Sequence, residues 1–361
     1  MKICVYAISK NEEKFAERWY NSMKEADTVV VLDTGSTDRT VELLSSFGAV
    51  VETQVIQPWR FDVARNASMN LIPPDTDICV CTDLDEIFEP GWRKKLEDAW
   101  LPGTTQARYR YTWNFNDDGS EGTVFFIEKA HAYGMFVWKH PVHEVLSYTG
   151  TAAEKIVTAV GVQLNHRADN FKSRASYLPL LELSVEEDPT DDRNMHYLGR
   201  EYLFHSEWDK SIATLKRHLQ LPSATWADER AASMRYIARC FTAKNQPQEA
   251  LCWYYRAIAE APYLREAYVE AALLLYQQKE WEGVLYFCLQ ALKISERTAS
   301  YICEAQAWGY LPWDLAALGY YYTGNYEKAL EYESQAVQLN PTDPRIQSNL
   351  KIMKNHVNGL R

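Results

Sequence analysis

Long apolar runs are missing from this sequence. No stretch of its 361 residues approaches the roughly 20 consecutive apolar residues that a helix needs to cross a bilayer, so a membrane-spanning helix is not expected. The opening MKICVYAISK has too short an apolar segment for a secretory signal, with no cleavage-like region after it, and a soluble cytoplasmic protein is the expectation. Paired cysteine spacings are missing as well. The seven cysteines, an odd number, are scattered without metal-site spacing, which argues against a disulfide framework and for reduced, structural thiols. Cys79 and Cys81, two apart, are expected on one face of a strand as small buried residues. A basic excess is also missing: 38 Lys and Arg against 49 Asp and Glu leave a formal charge of -11, which disfavours a broad nucleic-acid surface while leaving a local basic groove open. Finally, the zinc-protease pattern HExxH is not met, because His143 and Glu144 in HPVHEVL lack the second histidine.

What is present divides into two halves. A hydrophobic fraction of 47% over this length suits two domains, each with its own core. The first 165 residues alternate short apolar runs with helical patterns, as in an α/β layer. Residues 2–7, 28–33, 49–54 and 77–82 read as strands, and 11–26 as a helix. Residues 35–48 read as a second helix, with Ser36 or Thr37 placed to cap it, Val41, Leu44 and Phe47 along one side, and Gly48 to end it. Such a sheet carries its chemistry at the C-terminal ends of its strands, where both LDTGSTD and CTDLDE lie. Residues 107–113, 123–128 and 133–138 read as strands of a mixed or antiparallel extension. The turn between the first two holds Asp117 and Asp118, expected to be solvated.

From residue 171 the pattern is helical. Residues 171–187 begin this half, with Pro179 expected to bend or shorten the helix. An internal period follows: Ala250 and Val284 occupy equivalent positions 34 residues apart, and Tyr326 precedes Pro341 by fifteen residues as Pro247 precedes Pro262. A weaker unit covers 199–221. This half resembles the tetratricopeptide repeats over about residues 195–355, most specifically in GNYEKALEYESQAVQLNP. That likeness implies a solenoid of stacked helix pairs with a concave binding surface. Trp253, Tyr254, Tyr255, Tyr268, Tyr321 and Tyr322 are expected to pack helices, some of them to line a peptide groove. The expected boundaries are 1–170, a helical linker at 171–194, and 195–361.

Four blocks carry a second resemblance: ISKNEE (8–13), VVVLDTGSTDRT (29–40), FDVARNASM (61–69) and CTDLDEIF (81–88). In this order and spacing they are similar to the family 2 glycosyltransferases of the GT-A fold, over about residues 1–170. The likeness implies an α/β nucleotide-sugar-binding domain with a DxD element at Asp83 and Asp85. Asp85 is then the expected first ligand of Mn²⁺ or Mg²⁺ and a catalytic residue, and Asp83 a ribose, sugar or water-mediated metal contact. Hard oxygen donors suit either ion. Glu86 is a further candidate, or a cap for the next helix. The likeness also implies that Asp33 holds the base or ribose, that Gly35 allows a close turn, and that Thr34 or Ser36 gives a polar contact. Asp62 and Arg65, three apart, can form an internal ion pair or face the nucleotide, and the likeness favours the nucleotide-side role for both, with Asn66 organising the loop. Glu12 is a ribose-side or orienting candidate.

The acidic pair that many relatives place downstream of DxD is absent, and WKHPVHEVL (138–146) stands there instead, similar to an HE element of some cytosolic members. Glu144 is the expected base or acceptor-orienting group, its rival reading being an anchor for His143. His166, then His143, is the expected distal metal ligand. Lys172 and Arg174 could neutralise a diphosphate or face solvent. The resemblance implies inverting transfer from a UDP-sugar. The fused repeats point to a peptide or protein acceptor, with two alternatives: a cell-envelope glycan acceptor with the repeats serving a homodimer, or a noncatalytic scaffold. Nucleic acid is not an expected partner.

Overall fold

The computed structural model describes residues 1–116, 119–168 and 177–359. They fall into two units, Met1–Glu187 and Asp188–Arg361. This division lies inside the stretch read as a linker. Asp117, Asp118, Lys172 and Arg174 lie outside the described residues.

In the first unit, β1 (Ile3–Ser9), α1 (Glu13–Met23), β2 (Thr28–Asp33), α2 (Thr40–Phe47), β3 (Val50–Thr53), α3 (Phe61–Met69) and β4 (Ile78–Cys81) alternate along the chain. The four strands run parallel in the order β3-β2-β1-β4. The central strands are near-continuous apolar runs because both faces of a parallel sheet are covered. Ile3, Val5 and Val31 face a core with Trp19, Leu44 and Trp92. Cys4, Tyr6, Cys79 and Cys81 face the other way, with Ile72 and Trp138. The two cysteines of β4 therefore share a face, as their spacing requires.

The chain continues through β5 (Glu86–Phe88), α4 (Trp92–Ala99), β6 (Gln106–Thr112), β7 (Val124–Ala132), β8 (Phe136–Lys139), β9 (Val145–Tyr148), β10 (Ile156–His166) and α5 (Tyr177–Glu187). The sheet is extended as β4-β7-β6-β10-β5, with β7 antiparallel to both its neighbours and β5 antiparallel to β10. β8 and β9 form a separate hairpin. Pro179 is the third described residue of α5.

One expectation fails here. Neither Ser36 nor Thr37 caps α2, which starts at Thr40 with its amide on Asp38 Oδ1 (3.0 Å). Ser36 is already engaged by Asp33 in the preceding turn. Gly48 does end α2, at a φ of 110° where a side chain would be strained.

The second unit is helical: α6 (Asp192–Phe204), α7 (Trp208–His218), α8 (Ala227–Ala243), α9 (Pro247–Glu260), α10 (Arg265–Gln278), α11 (Trp281–Leu292), α12 (Leu311–Tyr322), α13 (Tyr326–Leu339) and α14 (Pro344–Val357). Consecutive helices pack as pairs, α6 with α7 through α12 with α13. The same small or compact positions recur in each pair. Three residues into each second helix stand Ser211, Ala250, Val284 and Ala329, all without exposed surface. Nine residues before each second helix stand Gly199, Ala238, Ala272 and Ala317, also buried. Close helix approach demands such residues, and the result is a stacked solenoid resembling tetratricopeptide repeats.

The first helices of the pairs, α6, α8, α10 and α12, also touch one another in succession and form one layer. The repeat likeness implied a concave surface available for binding. Instead the segment 293–310, between α11 and α12, folds over it. Tyr301 stacks on Tyr197 of α6 at 6.0 Å and hydrogen-bonds Glu229 of α8. Glu304 ion-pairs with Arg235 and Arg239 of α8 at 2.9 and 2.7 Å, and its amide reaches Glu266 of α10. Trp308 donates to the same Glu266 and lies 4.3 Å from the Arg265 guanidinium. From α6 to α10 the chain covers its own repeat face.

Candidate active site

Parallel pairing brings the C-terminal ends of β1, β2 and β4 to one edge, with Ser9 opposite Asp33 and Tyr6 opposite Cys81. At the end of β2, Asp33 is fully buried and both its oxygens serve its own turn. Oδ1 accepts from the amides of Gly35 (3.0 Å) and Ser36 (2.8 Å), and Oδ2 from the hydroxyls of Ser9 and Ser36. Gly35 sits at a φ of 107°, which this turn requires and L side chains avoid. Thr34 donates its hydroxyl to the Ser9 carbonyl, and Ser36 Oγ accepts from the Asn11 amide. The Glu12 amide reaches Thr40, and the Glu12 carboxylate acts on Arg18, which also feels Asp85. Asp33 and Ser36 thus shape the loop. The open side of this loop is a cleft of about 690 Å³ lined by Thr34 with Lys10, Val55, Gln57, Pro58 and Trp59.

At the end of β4 the carboxylates are shared out between cations. Arg65, buried on α3, donates to Glu144 through Nε, to Cys81 Sγ at 3.2 Å and to Asp83 at 2.8 Å, with its guanidinium 5.1 Å from the Trp138 ring. Lys129 on β7 bridges Asp83 (3.1 Å) and Glu86 (2.9 Å). Glu86 also accepts from the Tyr111 hydroxyl at 2.8 Å and from the Asp83 amide at 2.9 Å. Burial pushes the Asp83 carboxyl up, but Arg65 and Lys129 prevail and hold it well below the usual range. Burial likewise disfavours the Lys129 cation, yet Asp83 and Glu86 keep it charged far above its ordinary value.

Asp85 turns to a different partner. The pairing of β5 with β10 sets His166 opposite Glu86, and His166 Nε2 stands 3.6 Å from Asp85 Oδ2. The other ring nitrogen, Nδ1, faces the Trp113 carbonyl at 2.8 Å, and the imidazole stacks on the Trp113 ring at 4.4 Å. Burial lowers the His166 pKa, but the Asp85 carboxylate, the Trp113 carbonyl and Glu86 together raise it above its ordinary value.

Several expectations are corrected. Asp62 and Arg65 do not pair: Asp62 takes a two-pronged contact from Arg60 at 3.0 and 2.8 Å, while Arg65 points to β4 and to Glu144. Arg60 precedes α3 and lies beside the Asp62 carboxylate, with Glu187 on its other side. Glu86 is a buried strand residue that caps no helix. Glu144 anchors Arg65, a partner its sequence context did not suggest. The structure sets His143 edge-on against Tyr177 at 5.6 Å, and Asn66 braces the Trp138 backbone at 2.8 and 2.9 Å. Sequence reading missed Lys129, Tyr111, Lys10 and Trp59. For Lys129 a signal existed: a lone lysine within the apolar strand VFFIEKAHA.

Residues 4–148 match the family described as Glycosyl transferase family 2. An uncharacterized glycosyltransferase of Rickettsia bellii (strain RML369-C) is 48% identical over 109 residues, 30% of this chain and 35% of that protein, so the match spans about a third of the relative's length. Solved structures similar to the chain include MamA (16% identity, 46% of this chain and 88% of that one, TM-score 0.38) and YrrB, a TPR protein with an unusual peptide-binding site (17%, 49% and 81%, TM-score 0.36). The repeat assignment rests on the helix pairing described above and not on these two likenesses.

Proposed function

Starting from a first unit that carries a family 2 glycosyltransferase domain, we propose that the chain transfers a sugar from a UDP-sugar to a side chain of a peptide or protein, with inversion at the anomeric carbon. The observation that carries this reading is the Asp85–His166 pair at the end of β4, on the same sheet edge as the 33–36 turn.

The pair fits a divalent cation. His166 has its Nδ1 held by a backbone carbonyl, so Nε2 and the Asp85 carboxylate stand ready as donors, the arrangement that second-sphere contacts give metal-bound histidines. Mn²⁺ or Mg²⁺ bound there would offset charge developing on the leaving diphosphate. The protein's own groups do the rest. The 690 Å³ cleft by Thr34 and Trp59 takes the nucleoside, its base against the Trp59 ring. Arg65 and Lys129 fix the Asp83 carboxylate toward the ribose or sugar. Glu144, positioned by Arg65, orients the acceptor and takes its proton once the guanidinium contact is exchanged for the acceptor hydroxyl. The covered repeat face favours acceptor docking elsewhere on the second unit. A cleft of about 410 Å³ between α11, α12 and α13, lined by Tyr286, Leu289, Trp313, Tyr320 and Tyr332, offers the aromatic surface an extended chain needs.

The test is a panel of nucleotide-sugars with Mn²⁺, Mg²⁺ or chelator, read by calorimetry and by released nucleotide. A metal-dependent donor, lost in Asp85→Ala and in His166→Ala, is the expected result. No binding or turnover across the panel would favour a scaffold. Donor turnover unchanged in Asp85→Ala would sink the assignment of the metal pair.

A further inference from the structure

We propose that the second unit holds a structural divalent metal ion, zinc by the chemistry of its donors, between His196, His218 and Glu229. His196 lies on α6, His218 ends α7 and Glu229 opens α8, so three consecutive helices each supply one donor. One ligand atom from each lies within 4.8 Å of the others, and all three side chains are buried. His218 Nε2 and Glu229 Oε1 are 3.4 Å apart, close to the edge of a tetrahedron with metal bonds of about 2.0–2.1 Å.

Hydrogen bonding alone leaves two ring nitrogens of this cluster without a partner. The Nδ1 atoms of both imidazoles face one hydroxyl, Ser233 Oγ, at 2.7 and 3.0 Å. A hydroxyl has a single proton to give. His218 Nε2 lies 3.4 Å from Glu229 Oε1 without a hydrogen bond to it; the nearby carboxylate favours the proton on that nitrogen, and Nδ1 accepts the serine proton. Ser233 must then accept from Nδ1–H of His196, and His196 Nε2 is left as a bare lone pair. Neither that atom nor His218 Nε2 has a hydrogen-bond partner, although both side chains are fully buried.

A bound ion completes the arrangement. His218 moves its proton from Nε2 to Nδ1, both Nδ1–H groups donate to Ser233, and no proton leaves the site. Ser233 then orients both rings, while the Tyr301 hydroxyl holds the second oxygen of Glu229. Two imidazoles and one carboxylate suit zinc better than the oxygen-seeking Mg²⁺ or Ca²⁺.

The repeats supply an internal comparison. Ten residues into the second helix of the later pairs stand Ala257, Ala291 and Ala336, each fully buried, so packing at that position needs only a methyl group. The first pair places His218 there. The ion would tie the first two helix pairs together and, through Tyr301, hold the segment that covers them.

The experiment uses the full chain, expressed with zinc and purified without chelator or a metal-binding tag. Elemental analysis should find about one zinc per chain. Chelation should lower the melting temperature, added zinc should restore it, and Co²⁺ should give tetrahedral absorption bands. His196→Gln should lose the zinc while keeping its helical circular dichroism, and Asp85→Ala should retain it. Less than about a tenth of an equivalent of zinc, with a melting temperature indifferent to chelator and to added zinc, would overturn the proposal. Zinc lost from Asp85→Ala but kept by His196→Gln would overturn it equally.

Discussion

Arg65 shows how much one buried residue can organise. Its guanidinium holds Asp83, Glu144 and Cys81 at once, so its removal takes the cation from Glu144 and leaves Asp83 with Lys129 alone. Arg65→Met is expected to destabilise the first unit by about 3–5 kcal/mol in denaturant unfolding. A loss below about 1 kcal/mol would mean that water and Lys129 suffice for these carboxylates. Glu333 has the opposite character. It is buried on α13, and burial with Asp314 nearby pushes its carboxyl up to about 8. The folded state therefore keeps a proton that the unfolded chain releases near 4.5. Its stabilising effect is full below that value and is lost as pH rises towards about 8. Glu333→Gln should thus stabilise the chain by about 1–3 kcal/mol at pH 8 and leave it little changed at pH 4. Thermal melts at both pH values check the sign.

Among the elements, the repeat helices are set by how closely their backbones approach. A Cβ on Gly319 would come within 3.0 Å of Leu285 Cβ and 3.3 Å of the Leu285 backbone. Helix propensity favours alanine there by about 1 kcal/mol, yet α11 would have to move as a body to admit the methyl. Gly319→Ala is expected to cost about 1–3 kcal/mol net, measured by urea unfolding, because overpacking against backbone outweighs the propensity gain. The elements also mark how far local pattern reaches. β1, β2, β4 and the 34-residue spacing of α9 and α11 were legible because side-chain alternation and helical period follow from backbone geometry over a few residues. The start of α2 was misread because Ser36 had a competing partner in Asp33, one turn earlier.

For the whole molecule, each unit has its own apolar clusters among the described residues. Residues 1–187 and 188–361 expressed separately should each give a cooperative thermal transition with the secondary structure of the parent. A helical unit that stays unfolded alone would show that its core is insufficient.

Composition, strand and helix periods, the glycine-bearing turn after β2 and the acidic run after β4 were all readable along the chain, and with them the α/β half, the repeat half and the sugar-transfer reading. Each depends on residues a few positions apart. Partnership was not readable. Arg65 finds Glu144 across 79 positions, Lys129 finds Asp83 across 46, and Glu304 closes the repeat face on Arg235 across 69. A charge in sequence carries no address, because any opposite charge satisfies it equally until burial removes water as the competitor. Folding makes that choice: the strand order sets His166 beside Asp85, and the packing of α6, α7 and α8 gathers two histidines and a glutamate that the chain keeps up to 33 residues apart.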